Sequence, residues 1–215
     1  MSRAPKRRPY SSATRQSAAL ATREAIIEAA RRLFLERGYA GTTMPAIAEA
    51  AGVALDTVYA SVGKKPTLFR LLVETAISGR GDAVPAEKRD YVRALRAEPD
   101  ARAKLKIYAA AICAIQPRLA PLFRVLNSAA ATEPELETLW SEISQRRAVN
   151  MRLLVENLTA TGRLREGLSA DIAADIIWSM NSPEFYLLLV EQRGWSPQAF
   201  QSWLEDAWIR LLLQS

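Results

Sequence analysis

Few side chains able to do chemistry occur in this chain of 215 residues: there is no His, one Cys, 23 Asp+Glu and 29 Lys+Arg. Without imidazole there can be no Ser-His-Asp or Cys-His pair, no His general base and no His-containing zinc or haem site. Cys113 alone forms neither an intrachain disulfide nor a thiolate cage, a usage that suits a reducing compartment. Glu142, Asp171 and Asp175 remain for carboxylate chemistry, but Asp171 and Asp175 lie one helical turn apart and read equally well as a solvated face. No metal or other cofactor is implied, and an all-helical carboxylate-dependent enzyme stands only as an alternative.

The plentiful chemistry is positive charge. Arg3, Lys6, Arg7, Arg8, Arg15 and Arg23 all precede the first acidic residue, Glu24, and carry the whole formal charge of +6, so the rest of the chain is balanced. Phosphates of nucleic acid or an anionic membrane are the partners such a cluster fits. The segment has no apolar face to insert and no run of about 20 apolar residues occurs, so no membrane partner is expected. Met1 to Arg8 is basic, but the apolar core of a signal peptide does not follow. A soluble, cytoplasmic protein is expected, with residues 1–21 as a flexible basic arm.

The elements that must position these charges begin at Thr22. Ile26, Ala30, Leu33 and Phe34 form an apolar stripe at helical spacing, ended by Gly38. A second helix starts with Thr42 or Thr43 as cap and Pro45 in its first turn, and runs to Ala51. Gly52 breaks it, and a third helix follows over about Leu55–Val62. Ala48 is small where the helices cross, Gly52 accepts a positive φ, and Ile47, Val53 and Val58 supply a small core. Short helices about a glycine turn are the layout of a helix-turn-helix.

The segment Arg23 to Leu72 resembles the DNA-binding domain of the TetR-type transcriptional regulators. Gly38-Tyr39, Thr42-Thr43, Ile47-Ala48, Ala51-Gly52-Val53, Thr57-Val58-Tyr59, Lys65 and Leu68 carry the resemblance. It implies an all-α homodimer, with an amino-terminal three-helix helix-turn-helix domain on a palindromic double-stranded operator. A larger carboxy-terminal helical domain would then bind a small-molecule effector and dimerise. By position, Thr43, Tyr59 and Lys65 match phosphate contacts of the family, beside Lys64. Base reading falls to Leu55, Asp56, Thr57, Ala60 and Ser61. These are short side chains, so readout through Thr methyls, water and DNA shape is expected rather than an Arg–guanine pair. Arg7, Arg8 and Arg15 of the arm are expected to add phosphate or minor-groove contacts.

The domain layout expected is arm 1–21, reader with connecting helix 22–80, and effector and dimer domain 81–215. Beyond a linker at Gly79 to Pro85, helical patterns cover about 86–97, 100–115, 117–130, 133–161, 170–193 and 197–213. Asp100, Ser169 and Ser196 serve as caps, and Thr132-Glu133-Pro134-Glu135 as a capping box. Pro183 falls inside a helical pattern and predicts a kink beside Asn181. Tyr108, Cys113, Phe123, Asn127, Trp140, Met151, Trp178 and Asn181 are the candidate pocket residues, for an apolar or aromatic ligand with few polar anchors. The last two helices are apolar on more than one face, which with the resemblance assigns Tyr186, Leu189, Val190, Trp203, Trp208 and Leu212 to a dimer interface. The function implied is a ligand-responsive regulator, most often a repressor, with an activator of the same fold as the other sense. Deleting residues 1–17 is expected to weaken DNA binding and flatten its salt dependence; equal affinity and slope in a salt titration would remove the arm from the interface.

Overall fold

The computed structural model describes residues 10–79 and 84–214, and these form two compact units, Met1–Phe69 and Arg70–Ser215. The first unit holds α1 (Tyr10–Arg37), α2 (Met44–Ala51), α3 (Leu55–Val62) and the start of α4 (Lys65–Ser78). Its core is the stripe read from the sequence: Ile26, Ala30, Leu33 and Phe34 of α1 are all buried, with Ile47 and Val58 from the next two helices. Phe34 stacks on Tyr39 at 5.6 Å between ring centres and meets Phe69 edge-on at 5.1 Å, which ties α1 to the root of α4. Gly52 has φ 67°, and its turn returns the Val53 amide to the Ala48 carbonyl. Val53 itself is only half-buried, so it supports this core less than its spacing suggests.

Two differences concern the ends of this unit. Helix α1 begins at Tyr10, so the flexible arm expected over 1–21 is helical from residue 10 onward, and Arg15 lies on a helix. Thr42 is buried and its hydroxyl donates to the Leu33 and Gly38 carbonyls, closing the α1 turn, while Thr43 is the N-cap of α2.

The second unit continues with a short 3-10 turn (Ala86–Lys88), then α5 (Asp90–Ala97), α6 (Ala101–Ala130), α7 (Pro134–Thr159), α8 (Ala170–Met180), α9 (Pro183–Tyr186), a π-helical segment (Leu187–Gln192) and α10 (Pro197–Leu212). Helix α6 is its axis, packing against α5, α7, α9 and α10. It is long and apolar enough to cross a membrane, but most of its most apolar stretch is buried inside the protein, as a core helix requires. The expected break at Pro117 is absent: Pro117 and Pro121 both lie inside one continuous helix. Each removes one backbone hydrogen bond, yet Ile112, Ile115, Leu119 and Leu122 around them are buried, and that packing holds the helix together.

Helix α7 starts at Pro134 with Glu133 as cap and no side-chain cap bond, so the expected capping box does not form; the Thr132 hydroxyl donates instead to the Ala129 carbonyl. The chain end is secured by an isolated bridge between Leu164 and Leu213, with the Arg165 amide donating to the Leu212 carbonyl at 2.8 Å. Lys104 of α6 is buried and donates to the Leu95 carbonyl at 2.7 Å, and so caps the end of α5.

Tyr108 of α6 stacks on the fully buried Trp208 of α10 at 5.5 Å, with Phe200 and Leu204 on the same helix also buried. Trp208→Ala is expected to lower stability by about 3–5 kcal/mol, read as the shift in a urea unfolding curve; a loss under about 1 kcal/mol would mean this contact is not central to the core.

Candidate functional site

The first unit presents α3 as a short exposed helix. Asp56, Thr57, Tyr59 and Ala60 are exposed, Leu55 and Ser61 are half-buried, and α3 contains no basic residue. Its end is capped by Arg23 of α1, whose guanidinium donates to the Ser61 carbonyl at 3.0 Å, so Arg23 is a structural cation. Thr43 is exposed and accepts from the Ala46 amide at 3.3 Å, placing its hydroxyl at the α2 N-terminus, where backbone amides favour an anion. Lys64 is exposed, and the Lys65 ammonium sits 4.0 Å above the Tyr39 ring. Arg15 is exposed near the start of α1, and Arg7 and Arg8 lie outside the described residues. Among the described residues, Arg23, Lys64 and Lys65 thus border α3, and none of the unit's cations projects from it.

The second unit contains a cavity of about 170 Å³ between α5, α6 and α7, closed on one side by Ile77 of α4. Its walls are mostly apolar, with Val92, Leu95, Ile115, Leu119, Ile143 and Leu154 contributing. Of the expected pocket residues, Tyr108 and Met151 line it. Asn181 is brought to them from the end of α8: its amide donates to the Tyr108 hydroxyl at 2.7 Å and to the Met151 sulfur at 3.0 Å. The same amide's oxygen accepts from Arg147 Nη2 at 2.6 Å, and Nη2 also donates to the Trp178 carbonyl at 2.7 Å. Gln116 of α6 completes the cluster by donating to the Asn181 carbonyl at 2.8 Å, while its own side-chain oxygen is buried without a partner.

Burial holds the Tyr108 hydroxyl far above the ordinary phenol range, and the nearby Tyr91 adds to this, so Tyr108 is a neutral hydrogen-bonding group. Desolvation lowers the pKa of the Arg147 guanidinium, a cost that Tyr108 and Glu184 partly offset. The guanidinium carbon lies 5.0 Å from the Trp178 ring centre.

The other expected pocket residues are placed elsewhere. Phe123, Trp140 and Trp178 surround a separate hollow of about 290 Å³ with Phe185 and Glu184. Asn127 is exposed on the outer face of α6. Cys113 is packed in the core away from the cavity, its thiol pushed up to about 12 by burial and then by Glu205, so it is a core thiol and neither a ligand contact nor a reactive one. Pro183 marks a full break instead of a kink: Ser182 caps α9, accepting from the Phe185 amide at 3.2 Å, and Pro183 is the first residue of that helix. The polar groups missed by sequence reasoning are Arg89, Arg146, Arg147, Asn150 and Gln116; on amphipathic helices such residues look like solvated faces.

The expected dimer set also divides. Trp208 and Leu212 are fully buried and Tyr186 nearly so, within their own chain, and are corrected to core residues. Leu189, Val190 and Trp203 are half-buried, and Ile172, Leu188 and Leu211 are the large apolar side chains that α8, the π-helical segment and α10 leave exposed.

Residues 26–72 match the family model described as bacterial regulatory proteins, tetR family. No curated protein matches significantly. Among solved structures, NalD of Pseudomonas aeruginosa, the secondary repressor of the MexAB-OprM multidrug efflux pump, is 23% identical with a TM-score of 0.71, covering 93% of this chain and 99% of its own. The SmeT–triclosan complex is 21% identical with a TM-score of 0.63, over 91% of this chain and 93% of that one. At these identities the likeness carries the fold, and it extends over both units.

Asn181→Leu would leave the Tyr108 hydroxyl and the Arg147 guanidinium short of a partner in an apolar setting. A loss of about 2–4 kcal/mol in unfolding free energy is expected, and an unchanged denaturation midpoint would show that the cluster rearranges without cost.

Proposed function

We propose that this chain is a transcriptional regulator of the TetR type, a repressor released from a palindromic operator when a small apolar or aromatic effector enters the α5–α6–α7 cavity. On this reading it binds DNA and is not an enzyme. The observation that carries the reading is the extent of α4: this one helix begins at Lys65, beside Lys64 and the α3 reader, and reaches Ile77 in the cavity wall. A ligand that displaces Ile77 acts on the same helix that carries Lys65. In a cytoplasmic homodimer, two α3 helices must reach successive major grooves roughly 34 Å apart, so a small tilt of α4 is enough to spoil the fit.

The exposed apolar side chains Ile172, Leu188 and Leu211, with half-buried Trp203, are the face we assign to the second copy. On the DNA, Thr43, Tyr59, Lys64 and Lys65 position the reader on phosphates, and Thr57 and Ala60 face the bases. NalD is a repressor and SmeT is solved with triclosan; both support the sign and the kind of ligand proposed.

The test starts from operator fragments captured from genomic DNA by the purified protein. Lys64→Ala is expected to weaken binding to captured and unrelated DNA alike and to reduce the salt slope by about one. A compound shown to occupy the cavity should lower operator affinity at least fivefold. An occupied cavity with unchanged operator affinity sinks the proposal.

A further inference from the structure

The cavity is apolar in its walls and one-sided in its charge. Arg89, Arg96, Arg146 and Arg147 line it against a single acid, Glu87. Arg146 is paired with Glu74 at 3.2 Å and Arg96 is exposed, so these two belong to the rim. The half-buried pair differs. Arg89 donates to the Val84 carbonyl at 3.1 Å and to the Tyr91 hydroxyl at 3.5 Å. Arg147 gives both of its hydrogen bonds from Nη2, to the Trp178 carbonyl and the Asn181 side chain. Every one of these acceptors is neutral, and among the described residues neither Arg89 nor Arg147 forms an ion pair.

A guanidinium withdrawn from water whose hydrogen bonds all go to neutral acceptors is costly, a cost that Glu184 offsets only in part, and an anion delivered to it gains more than the same contact would at the surface. Arg147 keeps its Nη1 hydrogens for a further partner, and Nη1 can donate to one oxygen of a carboxylate in a charge-assisted hydrogen bond. Tyr108 adds no negative charge, because its hydroxyl stays neutral.

We infer, resting on the effector reading of this cavity, that its ligand is a small apolar or aromatic acid whose carboxylate is held by Arg147, with Arg89 raising the local positive potential. The apolar walls take the hydrocarbon part. An uncharged ligand of the same shape leaves the guanidinium unpaired, and a cationic one meets like charge.

The experiment titrates the full-length protein by calorimetry with three bicyclic compounds of one shape, 2-naphthoate, 2-naphthamide and 2-naphthamidine, at near-neutral pH. The anion is expected to bind at least tenfold more tightly than either analogue. Arg147→Gln should abolish that preference, the anion losing at least tenfold more affinity than the amide, and Arg147→Lys should restore part of it. If Arg147→Gln fails to fold, the preference of the unaltered protein and its decline with added salt decide the matter. Equal or tighter binding of the amide or amidine overturns the inference, as does the absence of binding by all three. A clear preference for 2-naphthoate with no change in operator affinity leaves the inference standing and removes the effector reading instead.

Discussion

One buried amide organises the carboxy-terminal unit. Asn181 ends α8, and its side chain meets Tyr108 of α6, Met151 of α7 and Arg147 of α7, while its backbone carbonyl accepts from Gln116 of α6. Buried polar groups in an apolar interior are costly to leave unpaired, and this network pairs all but the Gln116 side-chain oxygen among those named, so it admits few other arrangements. The break in the chain serves this pairing. An uninterrupted helix would have passed the Phe185 amide to the Asn181 carbonyl; because Ser182 takes that amide, the carbonyl is left for Gln116. The cap at Ser182 and the hydrogen bond from Gln116 are therefore two sides of one constraint, and the register of α6, α7 and α8 follows from it.

Local chemistry told the boundaries well wherever the apolar pattern also changed. Ser196 followed by Pro197 was legible as a cap and first residue, and α10 begins there. The same pair at Ser182 and Pro183 read as a kink, because Trp178 and Met180 before it and Tyr186 to Val190 after it look like one continuous apolar helix. At Pro117 the error ran the other way. Proline suggested a start, but the buried side chains on both sides keep α6 whole at the cost of unmade backbone hydrogen bonds. Burial is a long-range property, and no window of neighbouring residues contains it. The amino-terminal unit was read more closely because its glycines and small residues are set by helix crossings only a few residues apart.

For the site, side-chain type was a better guide than charge. Tyr108, Met151 and Asn181 are uncommon on a solvated face, and the structure brings them together. Arg147 was invisible because an Arg four residues before Met151 on an amphipathic helix looks like ordinary surface; its long stem carries the guanidinium inward to the Trp178 ring. Trp208 and Leu212 were misplaced for a related reason. Apolar residues all round a helix require cover on several sides, but the pattern does not say which side is covered by the same chain. Here α6 covers Trp208 by way of Tyr108, and the sides left over belong to smaller, less conspicuous residues such as Ile172, Leu188 and Leu211.

The later part of α4 is held to the cavity walls by polar contacts. Arg118 of α6 donates to the Ala76 carbonyl at 3.1 Å, Arg146 of α7 pairs with Glu74, and Glu142 of α7 pairs with Arg70. The two ion pairs are substantially exposed, and such pairs contribute little each. A joint made this way fixes direction without great stiffness. Ligand energy can move a helix only through contacts that differ between two positions of it, and here those contacts are identifiable. Ile77 lines the cavity, while Arg146 is shared between the cavity rim and Glu74 of α4. On the effector reading proposed above, an anion in the cavity would compete with Glu74 for Arg146 while its hydrocarbon part pressed on Ile77, and both effects would fall on the one turn of α4 that carries Glu74 and Ile77.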